Sequence, residues 1–342
     1  MSTHSPQATV LEAALSGSQE AFEELSEPHR RELQVHCYRM MGSILDAEDL
    51  VQESLIRAWK KLHTFEGRAP FRAWLYRIAT NACLDELSKR AGRSLPIEIY
   101  PAANPRQPLE PAVMDPIWIE PFPDVWLETE QTNPAARYDQ RESVTLAFLV
   151  ALQALPPRQR AILLLRDVLG LPASEVADLL EISVSAVSSA LYRARNRLVD
   201  IYPARTYASP ATDSDVQLLL ERYVEAWEAA DIDGLVSLLR EDASFPMPPS
   251  PSWYRGRKAI REFVSRYILD GESKGRWRLL ATRANGQPAF AWYRRESGGT
   301  TYLPFAIQVV TLDGDLIADA TTFVYPQLFV TFGLPPQVNK RG

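Results

Sequence analysis

A proline-rich segment in the middle of the chain places the strongest constraint on its fold. Nine prolines fall within residues 94–136. Proline fixes φ and removes an amide donor, so neither a helix nor an inner strand is expected at this density. The 342-residue chain is therefore expected to place folded regions on both sides of a linker, which agrees with roughly two to three domains for this length.

The linker has chemical features of its own. Residues 94–140 hold two basic and eight acidic side chains, a net charge of −6. They include an aromatic stretch, residues 117–127, which contains Trp118, Phe122 and Trp126. Exposed tryptophans cost free energy, so this stretch is expected to dock. Packing on the chain's own domains and contact with a partner are both compatible with the sequence.

Residues 8–93 are predicted to be helical, because glycine and proline are sparse and apolar residues recur at helical spacing. One helix carries an apolar stripe from Leu50 to Leu62, with Asp46 as its candidate N-cap. Residues 63–70 interrupt the pattern and are expected to form a loop. A second helix is predicted from about Phe71 to Arg90.

Residues 137–202 are predicted to form a second helical region. Ser174 is the candidate cap of a helix from Glu175 to Leu180. A short turn then leads into a helix from about Ser185 to Tyr202. Two short helices joined by a tight turn are typical of a helix-turn-helix.

The last region, residues 212–332, changes in character. Three predicted helices precede four β-rich runs, and Asp313-Gly314 is a hairpin signal between the last two. The expected helices cover 213–229, 232–240 and 258–269, and the expected strands cover 276–283, 289–295, 302–312 and 316–325. The predicted fold class is therefore multidomain, with two all-α regions and a C-terminal α+β domain with an antiparallel sheet.

Charge and composition exclude several classes of protein. The overall net charge is −6, but residues 57–93 carry +6 and residues 1–56 carry −7, so phosphate binding remains open locally. Only Cys37 and Cys83 occur, which excludes a disulfide framework and fits a reducing cytosol. No run approaches about 18 apolar residues, so no membrane contact is expected. No metal or cofactor is expected, since all four histidines lie in the first 63 residues.

The second helix of the helix-turn-helix is a candidate DNA-reading element. Small hydroxyl side chains near its start would let it enter a major groove, and later arginines would reach bases or phosphates. The alternative is an ordinary amphipathic helix with a solvated basic face. The candidate DNA-binding residues are Ser185, Ser188, Ser189, Tyr192, Arg193 and Arg197.

Residues 57–93 combine nine basic side chains with interleaved aromatic ones. Cations neutralise phosphates, while aromatic faces stack on unpaired bases, so this combination suits melted DNA. Trp74 lies on the polar face of its helix and is the better stacking candidate than Trp59 or Phe71, which are expected in the core. The loop at 63–70 could hold one flipped base.

An acidic face precedes this basic segment. Asp49, Gln52 and Glu53 share one helix face at i, i+3 and i+4. Such a face would repel DNA and is better suited to a basic protein partner, although a simply solvated face is the default interpretation.

These patterns resemble the sigma-70 family of RNA polymerase sigma factors. Asp46–Leu62 followed by Phe71–Asn81 is similar to the family's core-binding and promoter-melting region. Leu155–Arg160, Glu175–Ala177 and Ser185–Leu198 are similar to its promoter-reading helix-turn-helix. Their order and spacing resemble the extracytoplasmic-function (ECF) group, and the tail resembles a subgroup with a C-terminal SnoaL-like (NTF2-like) domain.

The resemblance implies roles for individual residues. Asp49, Gln52 and Glu53 would bind the clamp of the β′ subunit of core RNA polymerase. The −35 promoter element would be read by the candidate residues of the second helix, as duplex DNA. The acidic linker would thread toward the active-site cleft of the polymerase. The melted −10 element would be held by Phe65, Arg68, Trp74, Arg77, Thr80 and Asn81.

A SnoaL-like domain implies a cone in which helices pack on a curved sheet and enclose a pocket. Alternation makes Trp277, Phe290, Trp292 and Tyr302 candidate pocket residues for a small ligand, although a filled hydrophobic core is the default interpretation. This domain lacks histidine and cysteine, so regulation in cis is favoured over catalysis.

The sequence thus predicts a sigma factor that is not itself an enzyme. Two other functions remain as alternatives. A helix-turn-helix regulator with a ligand-sensing domain would leave the Asp46–Asn81 pattern without a role, and a SnoaL-like enzyme fused to a DNA-binding module would lack the usual histidine.

Overall fold

The computed structural model describes residues 6–67, 69–90, 92–115, 117–127, 143–201, 213–270, 274–296 and 298–339. The chain divides into two compact units. The helical unit contains residues 1–93, 126–143 and 147–203, and the C-terminal unit contains residues 94–125, 144–146 and 204–342. Arg68 and residues 128–142 and 202–212, on which some sequence predictions fall, lie outside the described residues.

The first helical region consists of four helices joined by short connections. They are α1 (Pro6–Leu15), α2 (Gln19–Met41), α3 (Ile44–Lys61) and α4 (Phe71–Leu87). Gly42, at φ 72°, ends α2, and Ser43 caps α3 by accepting a hydrogen bond from the Asp46 amide at 3.1 Å. The prediction of Asp46 as the N-cap was therefore wrong, because the helix begins before it. The Asp46 carboxylate instead pairs with Arg90 and Arg93, each at 2.7 Å.

The second helical region ends in the predicted helix-turn-helix. Its helices are α6 (Leu146–Gln153), α7 (Pro157–Leu163), α8 (Ala173–Leu180) and α9 (Val184–Ile201), and a π-helical turn extends α7 through Val168. The expected cap Ser174 was wrong, because α8 begins at Ala173 directly after Pro172. Glu181 ends α8 at φ 55°, and the Ser183 hydroxyl accepts from the Ala186 amide at 3.2 Å to start α9.

The C-terminal unit is built on a mixed sheet. Its strands are β1 (Leu239–Pro246), β2 (Trp253–Arg255), β3 (Trp277–Ala284), β4 (Gln287–Arg295), β5 (Thr301–Asp313), β6 (Leu316–Phe323) and β7 (Val338–Asn339). The spatial order is β2-β1-β6-β5-β4-β3, with β7 paired to β5. The prediction of an antiparallel sheet was incomplete. Strands β1 and β2 were not predicted, and β1 pairs with β6 in parallel.

Helices cover one part of this sheet. They are α10 (Asp213–Ala229), α11 (Ile232–Ser237), α12 (Arg257–Phe263, extended by a π-helical turn to Ile268) and α13 (Leu328–Thr331). The predicted helix over 232–240 ends early, since β1 already begins at Leu239. Tyr223 and Trp227 of α10 pack on Phe290 and Trp292 of β4, with ring centroids 4.5–5.5 Å apart. The predicted fold class, two all-α regions with a C-terminal α+β domain, is confirmed.

Residues 94–125 of the linker belong to the C-terminal unit, whereas Trp126 belongs to the helical unit. Trp118, Ile119 and Phe122 are fully buried. Their burial agrees with the alternative in which the aromatic stretch packs on the chain's own domains. Contrary to the expectation from proline density, one helical turn forms here, α5 (Pro96–Ile99). Proline is tolerated at the first position of a helix because that amide has no partner there.

Asn285 anchors this segment to the sheet. It forms a two-residue turn with Gly286 between β3 and β4, at φ 57° and 70°, the positive values that such turns require. The Asn285 side chain accepts from the Phe122 amide at 2.9 Å and donates to the Val144 carbonyl at 2.8 Å. Asp124 accepts from the Gly286 amide at 2.7 Å. This one hairpin turn therefore holds the linker at Phe122 and Asp124 and the residues before α6 at Val144.

None of the described helices is both long and apolar enough to cross a bilayer.

We expect Asn285→Ala to destabilise the protein by about 2–4 kcal/mol, because it leaves a buried amide and a buried carbonyl without partners and places alanine at positive φ. The exposed substitution Lys258→Ala should change stability by less than about 0.5 kcal/mol. Chemical denaturation of the full chain measures both. Equal stabilities of the two variants would show that this turn does not anchor the linker.

Candidate nucleic-acid interface

Helix α9 presents the predicted DNA-reading residues to solvent. Its inward face is formed by Val187, Ala190, Leu191 and Ala194, all buried. The six candidate residues lie on the opposite side and are all exposed: Ser185, Ser188, Ser189, Tyr192, Arg193 and Arg197. Tyr192 is 68% exposed.

The arginines of α9 differ in their partners. Arg195 pairs with Asp167 at 2.7 Å. Arg193 and Arg197 have no ion-pair partner among the residues that the structure describes. They lie one helical turn apart, so their charges are available together to an external anion. Phosphate oxygens are suitable partners for such a pair.

Trp74 lies in an aromatic cluster at the start of α4. Its ring centroid is 5.4 Å from that of Phe65 and 5.6 Å from that of Phe71. Phe65 and Trp74 are each half-buried, so parts of both rings remain accessible. The structure thus brings these two predicted base-contacting residues together, while Arg68 lies outside the described residues.

Helix α8 faces this cluster across a small cavity of about 290 Å³. Trp74 and Arg77 line one side, and the acidic residues Glu175 and Asp178 of α8 line the other. The Arg77 guanidinium donates to the Glu181 carboxylate at the end of α8. Carboxylates therefore occupy the position opposite the predicted −10 face, where DNA phosphates would need to approach. The helix pattern contained no signal for this contact, because Arg77 and Glu181 are 104 positions apart.

The last two predicted −10 residues have different environments. Asn81 is exposed. Thr80 is fully buried, and its hydroxyl bonds His36 Nε2 at 2.9 Å. The structure therefore places Thr80 in the core between α2 and α4 and away from any DNA-facing surface.

His36 is itself buried. Burial, reinforced by the charge of Arg39, lowers the pKa of His36 to about 3. The imidazole is therefore neutral at physiological pH and has a structural role in the α2–α4 contact.

The predicted acidic face is present on α3. Asp49, Gln52 and Glu53 are all exposed, and Glu53 accepts from Arg57 at 2.7 Å. Gln52 also lines a groove of about 720 Å³ between α2 and α3. Trp126, from the aromatic stretch of the linker, lies in this groove with the Arg31 guanidinium 4.6 Å from its ring centroid. The sequence predicted that the stretch containing Trp126 docks, but it gave no signal for this groove.

The C-terminal unit contains the predicted pocket, with a different lining. Trp277 and Trp292 line a cavity of about 720 Å³. Phe290 lies in the core, 5.5 Å from the ring of Tyr223, and the Tyr302 hydroxyl donates to the Gly275 carbonyl at 2.8 Å. Phe290 and Tyr302 therefore do not line the cavity. Strand alternation selected them, but alternation alone does not show which end of the sheet is open.

Three protein families match successive parts of the chain. Residues 25–93 match Sigma-70 region 2, residues 145–198 match Sigma-70 region 4, and residues 220–320 match the SnoaL-like domain. The ECF RNA polymerase sigma factor SigG of Mycobacterium tuberculosis (strain H37Rv) is 46% identical over 316 residues, which cover 92% of this chain and 84% of SigG. This chain belongs to the ECF RNA polymerase sigma factors.

Other ECF sigma factors agree with this assignment. SigJ of the same strain is 31% identical over 242 residues, 70% of each chain. The crystal structure of Mycobacterium tuberculosis SigJ superposes with a TM-score of 0.57 at 24% identity, covering 92% of this chain and 99% of that one. The resemblance to ECF sigma factors with a SnoaL-like domain is therefore confirmed.

The buried neutral state of His36 predicts a pH dependence of stability. Its folded pKa of about 3 lies below the ordinary value near 6.5, so the unfolded chain takes up the proton first. The stabilisation is complete above about pH 6.5 and is lost as the pH falls, by about 2 kcal/mol at pH 5.

Denaturation at pH 7 and pH 5 measures this loss. We expect His36→Gln to reduce the difference between the two pH values, whereas the control His63→Gln, at an exposed position, should keep it. An unchanged pH response in the His36 variant would contradict the assignment.

Proposed function

We propose that this ECF sigma factor binds core RNA polymerase, recognises the −35 and −10 promoter elements and promotes strand opening, with its C-terminal domain regulating these steps in cis. Two observations support the proposal. Helix α9 has an exposed hydroxyl and arginine face suited to duplex DNA, and a separate aromatic and basic cluster around Trp74 is suited to melted DNA. A conventional regulator needs only the first.

Helix α9 is the proposed −35 reader. The hydroxyls of Ser185, Ser188 and Ser189 are small enough for close approach to base edges, while Arg193 and Arg197 supply cations for bases or phosphates. These side chains are already exposed, so this contact requires no rearrangement within the helix-turn-helix.

The −10 contact requires a rearrangement. Phe65, Trp74 and Arg77, with Asn81 beside them, form the proposed surface for the melted strand. Because Arg77 is paired with Glu181 and α8 faces Trp74, this surface is released only when α8 moves away from α4. We propose that binding to core polymerase provides the free energy for this separation, so that the isolated chain is protected from opening DNA unproductively.

The face of Asp49, Gln52 and Glu53 is the proposed contact for the β′ clamp. Complementary charge accelerates association and fixes orientation. The protein would then act where core polymerase does, in the cytoplasm. The C-terminal domain is proposed to be regulatory and not catalytic, since it contains no histidine or cysteine for acid–base or nucleophilic chemistry.

Regulation in cis is proposed to act through residues 94–125. This segment connects the two helical regions in sequence and packs within the C-terminal unit. Its position is therefore coupled to the state of the domain that holds it. Removal of residues 206–342 would expose Trp118, Ile119 and Phe122, so point variants are a cleaner test of regulation than truncation.

The first test addresses polymerase binding. We expect the triple variant Asp49→Ala, Gln52→Ala, Glu53→Ala to bind core polymerase at least about tenfold more weakly, because it removes the complementary charge. The control Glu12→Gln removes an exposed charge on α1 and should bind normally. Fluorescence anisotropy with labelled chain measures both. Wild-type affinity in the triple variant would refute the acidic face as the contact, and absence of any binding by the parent chain would refute the function.

A second test separates strand opening from closed binding. We expect Trp74→Ala to reduce permanganate reactivity of the −10 region at least about tenfold while duplex promoter binding changes little, because a stacking contact contributes roughly 1–3 kcal/mol. Trp74→Phe keeps an aromatic face and should retain most of the opening. Equal permanganate footprints for Trp74→Ala and the parent holoenzyme would exclude this role.

A further inference from the structure

The cavity of the C-terminal domain has the size and walls of a small-molecule site. Its volume is about 720 Å³, within the roughly 300–1,000 Å³ typical of ligand pockets. The walls are mainly apolar and include the aromatic residues Phe263, Trp277, Trp292 and Phe305. The rings of Trp277 and Phe305 lie 5.1 Å apart. Such walls favour a flat apolar molecule, which gains contact area with little loss of side-chain entropy.

The charges at the cavity select the polar end of such a molecule. Asp270 and Arg276 line the cavity and pair with each other at 3.2 Å. Arg294 also lines it, with its guanidinium 5.0 Å from the Phe305 ring centroid. In the part of the chain that the structure describes, Arg294 has no carboxylate partner. Among the described residues that line the cavity, the positive charges therefore exceed the negative ones by one, beside an aromatic ring, an arrangement that favours an anion and disfavours a cation.

One wall of the cavity comes from the linker. Leu109, Ala112 and Met114 line it. The segment is held on the domain by hydrogen bonds from the Val113 amide to the Pro249 carbonyl at 2.9 Å and from the Tyr267 hydroxyl to the Gln107 carbonyl at 2.8 Å. Met114 is still 74% exposed. This wall therefore leaves apolar surface that an occupant would cover.

We propose that the cavity binds a small molecule with a flat apolar body and a terminal anionic group, and that residues 107–114 close over it. Arg294 pairs with the anion, Trp277 and Phe305 contact the body, and Leu109 and Met114 cover it. An aromatic carboxylate or sulfonate has this chemistry. An occupied cavity restrains the segment that connects the two sigma regions. This regulatory effect rests on the proposed regulation in cis, whereas the binding site itself does not depend on it.

The first experiment measures binding to the full chain with two fluorescent probes of matched shape. They are 8-anilinonaphthalene-1-sulfonate, which is anionic, and N-phenyl-1-naphthylamine, which is neutral. We expect both to bind and the sulfonate to bind more tightly. Arg294→Gln should weaken the sulfonate about threefold to tenfold and leave the neutral probe unchanged, as loss of a partly exposed ion pair predicts.

Two further variants locate the site. Arg222→Gln, an exposed arginine of α10 outside the cavity lining, should bind both probes like the parent. Ala112→Trp, which places an indole in the exposed linker wall, should weaken both. Failure of either probe to bind, equal sulfonate affinity in the parent and Arg294→Gln, or undiminished binding by Ala112→Trp would each overturn the proposed site.

The second experiment tests closure of the wall. Hydrogen exchange of the full chain, followed by mass spectrometry, should show slower exchange in peptides covering residues 107–114 when the sulfonate is bound. Unchanged exchange at saturating probe would overturn the closing role. Neither experiment contains polymerase, so a negative result here leaves the sigma-factor function standing, and failure to bind core polymerase leaves the ligand site standing.

Discussion

The buried guanidinium of Arg160 joins the two helical regions. Only 1% of this side chain is exposed, and it donates to the Met40 carbonyl, to the Gln153 side chain at 2.6 Å and to the Gln153 and Leu155 carbonyls at 2.9 and 3.2 Å. Burial lowers the pKa of Arg160 to about 10, so the charge is still present at neutral pH. A buried charge is tolerated only with such partners, which fixes the start of α7 against the end of α2.

This junction determines which surfaces of the helical unit are free. With α7 held at α2, α8 lies opposite α4 and the carboxylate of Glu181 pairs with Arg77. The recognition helix α9 keeps its polar face in solvent. One unit thus contains the proposed duplex-reading surface, which is accessible, and the proposed base-contacting surface, which α8 faces. Exposed ion pairs contribute little free energy, so the Arg77–Glu181 pair can be broken at small cost.

The C-terminal unit holds most of the segment that connects the two sigma regions. Its sheet, through Asn285 and Asp124, anchors the segment between the two sigma regions, and its cavity uses the same segment as a wall. In sequence order this segment is a linker, but in packing it is part of the C-terminal core. Trp118 and Phe122 are the reason, because their burial removes large apolar surfaces from water.

The sequence by itself predicted the main helices of both sigma regions, four strands of the C-terminal sheet and the family of the chain. Helical spacing placed α3, α4 and α9, and the turn at residues 181–183 identified the helix-turn-helix, because these signals are local and repeat every 3.6 residues. The position of the linker, the parallel pairing of β1 with β6, the burial of Thr80 by His36 and the covering of Arg77 by Glu181 were decided only by the tertiary structure. Each of these joins residues that are far apart in the chain, and their pairing depends on three-dimensional packing that no local periodicity encodes.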